Sequence, residues 1–169
     1  YVSKTVLGIA NVRLMLLNTT VLFLAREPLR KACLDQRDNE SKQATNLAWA
    51  GLPAGLACSA VLGTVWLRLL DKPEDESGYD AGVILYMLAA LLELASEPLW
   101  IFAQVKLYVR LNVVLQGLAI VAQGLVTINL VIYFPALGVL AFAYGQVTYG
   151  ATLTFGYFVY FLSNPTAHG

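Results

Sequence analysis

Two glutamates four residues apart, Glu93 and Glu97, lie inside a long apolar stretch of the sequence. This spacing places both carboxylates on one face of a helix, and Gln104 falls seven residues further on, close to the same face. Because an ionisable side chain in lipid is costly, the face is predicted to look into a helix bundle or a wet cavity. Such a carboxylate can pair with a cation or serve as an acid.

Arginines are the second group with chemistry to offer. Arg26 and Arg30 are four apart and share a helical face, with Glu27 beside the first of them. Arg13 lies in the middle of the first apolar stretch, and Arg110 follows the third. A guanidinium group presents forked donors at fixed charge, which suits phosphate and pyrophosphate.

A structural role is the alternative for these charges. Glu93 or Glu97 could form an ion pair with Arg13 or Arg26 inside the bundle. Arg13 could also extend its charge to the membrane surface, and Arg26 and Arg30 could be the ordinary positive flank of a span. A further row of amides on the fourth apolar stretch is predicted to form hydrogen bonds between helices: Gln116, Gln123 and Asn129.

The elements that must position these groups are long apolar blocks. The chain has 169 residues, of which 58% are hydrophobic and only 13% charged, against about a quarter charged in a soluble domain. Blocks of roughly 20 apolar residues predict membrane-spanning helices. We therefore expect an all-α, polytopic transmembrane bundle in one domain, residues 1–169, with spans near 5–25, 47–70, 81–105, 111–134 and 137–162.

Composition also excludes several classes of function. The formal net charge is zero, so no nucleic-acid partner is expected. The single histidine, His168, lies in the tail, and Cys33 and Cys58 form no metal-binding pattern. No nucleophile and base are paired, so we predict no catalytic residue, no metal site, no cofactor and no enzyme activity.

Lys and Arg in the connections predict the orientation. Seven of them lie in the 26–46 and 106–110 connections, which we therefore place in the cytosol, and the acidic 71–80 loop then faces the lumen. Asn39, in a glycosylation sequon, should carry no glycan. Because the chain starts at Tyr1, we expect it to be a piece of a longer protein.

A short pattern occurs twice, as LAREPLR at 24–30 and LASEPLW at 94–100. Each copy has a Glu-Pro pair at the downstream end of an apolar block. Pro28 and Pro98 should either bend a continuing helix or begin short interfacial helices. We favour the bend.

These stretches resemble the Rft1 family of endoplasmic-reticulum membrane proteins. The resemblance is strongest in NVRLMLLNTTVLFLAREPLRKACL, SEPLWIFAQ and YVRLNV, and covers essentially the whole chain. It implies part of the N-terminal bundle of a transporter fold of the multidrug/oligosaccharidyl-lipid/polysaccharide exporter superfamily. Pro28 is a departure, since alanine is expected there. The positions that match the family's motifs are Arg13, Arg26, Glu27, Arg30, Glu97, Gln104 and Arg110.

The resemblance implies translocation of the dolichol-linked oligosaccharide Man5GlcNAc2-PP-dolichol across that membrane, or support of it, in N-linked glycosylation. The implied partners are this lipid-linked sugar, membrane lipid, and a second helix bundle from the rest of the chain. Arg26, Arg30 and Arg110 would stand at the cytosolic mouth, with Glu93 or Glu97 neutralising arginines until substrate arrives. The alternatives are a non-transporting accessory protein, or a MATE-like cation-coupled exporter with Glu93 or Glu97 as the coupling acid.

Overall fold

The structure is a computed structural model that describes residues 8–35, 49, 51–68, 78–105 and 107–163. These residues form helices and short turns, and contain no strand. A π-helical segment, Ile9–Leu14, leads directly into α1, Met15–Asp35. The other long helices are α2, Gly51–Arg68; α3, Tyr79–Val105; α4, Val109–Tyr133; and α5, Val139–Ser163. The predicted all-α class is confirmed.

Within the part of the chain that the structure describes, three helices are long and apolar enough to cross a membrane. They are α2, α4, and the part of α3 from Tyr79 to Gln104. The remaining two, α1 and α5, are of similar length, but α1 carries several charged residues and α5 many Gly, Thr and Tyr. Spans at α1 and α5 therefore remain a prediction.

The first helix extends further than the sequence pattern predicted. The apolar block ends near residue 25, but α1 continues to Asp35 and contains both arginines of the first Glu-Pro copy. Arg and Lys are good helix formers, and the arginines pack sideways against α3, so charge does not end the helix. Residues 26–35, counted in the predicted 26–46 connection, are helical, as the favoured continuation of the helix past Pro28 requires. Asn39 lies outside the described residues.

Both Glu-Pro prolines lie inside helices. Pro28 is in the interior of α1 and Pro98 in the interior of α3. Neither begins a short interfacial helix, so that alternative was wrong. A proline within a helix supplies no N–H to the carbonyl four residues earlier. In α3 this frees the carbonyl of Leu94, one residue after Glu93.

The bundle is organised around α3 and α5, which approach each other closely. A side chain at Gly150 would place its Cβ 3.0 Å from the carbonyl oxygen of Ala89 and 3.0 Å from the Cβ of Leu92. The Thr154 hydroxyl donates to the Leu92 carbonyl at 2.6 Å. Small residues let two helix backbones come this near, so Gly150 is a packing contact between α3 and α5.

A second row of small residues seats α2 against its neighbours. Gly51, Gly55, Ser59 and Gly63 recur every four residues and are all buried. Gly55 faces Leu94 of α3 and Ala25 of α1, and Gly63 faces Met87 of α3. Their regular spacing forms a stripe along one side of α2, and α1 and α3 pack against this stripe.

Tight connections join the last three helices. Between α3 and α4, Leu107 has a φ of 60° and its N–H donates to the Gln104 carbonyl at 3.1 Å. Between α4 and α5 runs a single 3₁₀ turn, Pro135–Leu137, closed by Gly138 with a φ of 50°. Connections this short make consecutive helices antiparallel neighbours.

Two apolar clusters divide the interior. One gathers around α1 and the first half of α3, as far as Leu94. The other gathers around Ala103 at the end of α3, with residues of α4 and α5 such as Tyr157. Glu97 falls between them along α3, so the polar region of the bundle lies where neither apolar cluster is complete.

Candidate functional site

A polar cavity of about 40 Å³ opens between α1, α3, α4 and α5. That is room for about three water molecules. The lining side chains come from all four helices, and most of them are polar or aromatic: Arg26, Arg30, Glu93, Ser96, Glu97, Trp100, Gln116, Tyr149, Leu153 and Tyr157. The face of α3 that carries both glutamates therefore looks into the bundle, as predicted.

The strongest contact in the cavity joins α1 to α3. Arg30 donates from Nε to Glu97 Oε2 at 2.8 Å and from Nη2 to Glu97 Oε1 at 2.8 Å. Arg26 adds a weaker bond from Nη1 to Glu97 Oε1 at 3.4 Å. The Glu97 side chain is only 10% exposed. Arg30 therefore holds this carboxylate by the two-point geometry that a guanidinium fork favours.

Trp100 also contacts Arg30, through the face of its ring. The guanidinium carbon of Arg30 lies 3.8 Å from the Trp100 ring centroid, within the range of a cation–π contact. Two buried donors of the residues that line the cavity make no hydrogen bond: Trp100 Nε1 and Arg26 Nε, the latter 3.9 Å from Glu27 Oε1. The cavity thus contains more donor groups than Glu97 can satisfy.

Glu93, one helical turn earlier, has a different environment. Its Oε1 accepts from Gln146 Nε2 of α5 at 3.0 Å and from Asn18 Nδ2 of α1 at 3.5 Å. Gln146 in turn accepts from Gln123 of α4 at 2.8 Å. Among the described residues, no ion pair to Glu93 forms within 4.0 Å. Glu93 is 6% exposed and is held by amides alone.

A third polar chain runs from the cavity toward the connection between α3 and α4. The Tyr157 hydroxyl donates to Asn112 Oδ1 at 2.9 Å, and Asn112 Nδ2 donates to Gln104 Oε1 at 2.9 Å. Tyr157 lines the cavity, whereas Gln104 does not. Gln104 therefore reaches the cavity only through two intermediate side chains, although the sequence placed it near the face of the two glutamates.

The structure brings together four of the predicted site residues and separates the others. Arg26, Arg30, Glu93 and Glu97 line one cavity. The remaining four do not line it: Arg13, Glu27, Gln104 and Arg110.

Local geometry explains the separations. Glu27 follows Arg26 by about 100° around the helix, and its side chain is 37% exposed.

Arg110 is exposed in the first turn of α4, whereas Asn112, two residues later and on nearly the opposite side, is buried. Arg13 lies in the π-helical segment, where its carbonyl accepts from the Trp66 indole at 3.1 Å. Arg110 thus does not join Arg26 and Arg30 at one mouth.

Two polar side chains that bond Glu93 were not singled out as site residues from the sequence. Asn18 is 1% exposed and bonds Glu93, and Gln146 is the only amide in its apolar block. That lone amide was the available signal for Gln146, whereas Asn18 shares its apolar block, 5–25, with Asn11. The hydrogen bond predicted between helices is confirmed for Gln123. It was wrong for Asn129, which donates to the Leu125 carbonyl of its own helix at 2.7 Å.

Comparison with known proteins settles the family. The family model described as Rft protein matches residues 1–168. The chain belongs to the Rft family. Its relatives include proteins named Man(5)GlcNAc(2)-PP-dolichol translocation protein RFT1. The one from Xenopus tropicalis is 44% identical over 164 residues, which is 95% of this chain and 30% of the relative. The one from Mus musculus is 38% identical over 167 residues, 96% of this chain and 30% of the relative.

The resemblance extends to more distant Rft relatives. The protein of the same name from Dictyostelium discoideum is 32% identical over 171 residues, covering 96% of this chain and 32% of that protein. This chain therefore spans about a third of the length of the curated relatives it matches. No solved structure matches it.

Proposed function

We propose that the full-length protein containing this Rft segment translocates a dolichol-linked oligosaccharide across the endoplasmic-reticulum membrane, or supports that step, in N-linked glycosylation. The names of the relatives support the cargo. One geometric observation carries the site: Arg26 and Arg30 converge on Glu97 in a polar cavity inside an apolar bundle. We propose these two arginines as the groups that bind the pyrophosphate of the cargo.

The geometry around Glu97 favours phosphate as the competing ligand. The carboxylate presents two oxygens to the fork of Arg30, and a phosphate group presents a similar pair of oxygens. A pyrophosphate can accept further bonds, and Arg26 Nε and Trp100 Nε1 are donors without an acceptor. Substrate thus replaces Glu97 with a more complete set of contacts, and Glu97 acts as an internal counterion until substrate arrives.

The size of the cavity requires a conformational change. At about 40 Å³ it admits a few water molecules but no sugar-linked pyrophosphate. Binding must therefore separate helices, with α1 and α3 as the pair that the Arg30–Glu97 contact joins. A ligand that breaks this contact favours the open arrangement and shifts the population toward it. In transporters built from two bundles, such rocking gives alternating access, and the second bundle would come from the rest of the chain.

The test uses the full-length protein with Arg26→Ala, Arg30→Ala and, as a matched control, Lys31→Ala. Lys31 is the exposed neighbour of Arg30 on the same helix. In liposomes, each arginine variant should lower translocation of a pyrophosphate-linked sugar lipid by about tenfold or more, because a charge-assisted contact is lost. Unchanged translocation by both arginine variants removes them from the mechanism.

A cell assay separates transport from support. In cells that depend on the introduced protein, the arginine variants should leave a glycoprotein reporter underglycosylated, and Lys31→Ala should not. If wild-type protein restores glycosylation in cells but moves no lipid-linked sugar in liposomes, support is the correct half of the proposal. Normal reporter glycosylation with both arginine variants would contradict any role for this site in the pathway.

The orientation is part of the same proposal. We place the 26–46 and 106–110 connections in the cytosol and the 71–80 loop in the lumen, because positive residues concentrate on the first side. Arg26 and Arg30 then lie toward the leaflet in which the cargo is made. Glycan found on Asn39 of the native protein would reverse this orientation.

A further inference from the structure

The environment of Glu93 differs from that of a stable buried carboxylate. A charged carboxyl group removed from water needs a cation or several strong donors. Glu93 has one good hydrogen bond, from Gln146 at 3.0 Å, and a marginal one from Asn18 at 3.5 Å, both to the same oxygen. Among the described residues, no side chain donates a hydrogen bond to the second oxygen of Glu93, Oε2.

None of the charged groups that line the cavity with Glu93 forms an ion pair with it. From α1 come Arg26 and Arg30, which both bind Glu97 instead. From α5 come the neutral phenols of Tyr149 and Tyr157, and α4 contributes only the Gln116 amide to the shared cavity. From α3 itself comes Glu97, whose negative charge opposes a second one nearby.

The orphaned oxygen of Asn18 points to a missing proton. Asn18 is 1% exposed, and its Oδ1 has no hydrogen-bond donor. A half-turn of this amide exchanges Oδ1 and Nδ2, and the two atoms are assigned from the hydrogen-bond network. Oδ1 then faces Glu93, where a carboxylic acid O–H supplies the donor that Oδ1 lacks. A proton on Glu93 thus neutralises a buried carboxyl group that has no ion-pair partner, and gives Asn18 Oδ1 a donor.

We propose that Glu93 is a proton-binding site, occupied in this conformation, whose proton makes the cavity more attractive to an anion. With Glu93 neutral, the charged side chains that line the cavity, Arg26, Arg30 and Glu97, sum to one positive charge, and Glu27 lies outside this lining, 3.9 Å from Arg26 Nε. With Glu93 ionised, the four side chains sum to zero. The affinity for a pyrophosphate thus falls as pH rises and Glu93 loses its proton. This second part rests on the proposed function, whereas the proton site itself does not.

Infrared spectroscopy of the full-length protein tests the proton site directly. The spectrum of wild-type protein at neutral pH should contain the carbonyl band of a protonated carboxylic acid, shifted in heavy water. The band should vanish in Glu93→Gln and persist in Asp80→Asn, a matched acid-to-amide change at an exposed position of the same helix. Identical carboxylic acid bands in wild type and Glu93→Gln would overturn the proposal.

Binding of a short-chain, sugar-bearing polyprenyl pyrophosphate tests the link to the anion. This probe is a diester, so its own charge stays constant as pH is raised. Wild-type affinity should fall with rising pH, by at most about tenfold per pH unit for one proton. Glu93→Gln should bind at every pH as tightly as wild type does in acid, and Asp80→Asn should follow wild type.

The outcomes distinguish this inference from the proposed function. Binding whose pH dependence survives in Glu93→Gln overturns the link while leaving the arginine site intact. A Glu93 proton band without any probe binding, in wild type at any pH, retains the proton site, overturns the link and counts against the proposed function. Loss of binding in Arg30→Ala together with a pH-independent Glu93→Gln supports both.

Discussion

Glu93 and Glu97 occupy the same face of α3, one turn apart, and yet have opposite chemical environments. Glu97 meets two arginines that α1 brings across the bundle, and Arg30 grips it with two bonds of 2.8 Å. Glu93 meets Asn18 of α1 and Gln146 of α5. The residue type is identical and the helix is shared. Neighbouring helices therefore decide whether a buried acid meets cations or only neutral amides.

Removing the charge of Glu97 should have the largest effect on stability. Glu97→Gln keeps the shape but leaves Arg26 and Arg30, with side chains 27% and 20% exposed, without their counterion. Stranding buried partners costs about 3 kcal/mol. Equilibrium unfolding of the full-length protein in detergent measures the change, with Glu27→Gln, a half-exposed acid, as control. If both variants lowered the free energy of unfolding by the same small amount, the ion pairs of Glu97 would contribute no more to stability than the exposed Glu27 does.

Gly150 tests whether the Glu93 environment depends on the close approach of α5. Its Cβ would lie 3.0 Å from the Ala89 carbonyl oxygen and 3.5 Å from the Glu93 nitrogen. Gly150→Val should force the helices apart, lengthen the Gln146–Glu93 bond and cost about 2 kcal/mol. Gly117→Val, where nothing lies within 4 Å, is the matched control and should change the free energy of unfolding little. A harmless Gly150→Val would refute the close packing.

Glu93→Gln should have the smallest effect. A protonated carboxyl group and an amide have nearly the same shape, and both offer a donor to Asn18. The free energy of unfolding at neutral pH should therefore stay within about 0.5 kcal/mol of wild type. A loss as large as that of Glu97→Gln would mean that Glu93 carries a charge, and would erase the contrast between the two acids.

The apolar blocks and the four-residue spacings predicted much of this molecule. They indicated an all-α fold, placed helices near their observed positions, and put Glu93 and Glu97 on one inward face. They failed where contact between distant segments overrides local pattern. The charged residues 26–35 favoured a loop by composition, but they form the last turns of α1. There Arg26 and Arg30 form ion pairs with Glu97 of α3. Arg110 was predicted to lie at the same mouth as these arginines, but its side chain is exposed on the outside of α4.

The two Glu-Pro copies show most clearly what the sequence pattern could not predict. Both place a glutamate before a proline within a helix, but Glu27 is 37% exposed and the Glu97 side chain 10%. Periodicity along the chain determined which residues share a face, because helix geometry is local. Which face turns inward, and which groups contact it, depends on how the helices pack against one another. Arg30 and Glu97 are 67 residues apart in the chain, and helix packing alone brings them into contact.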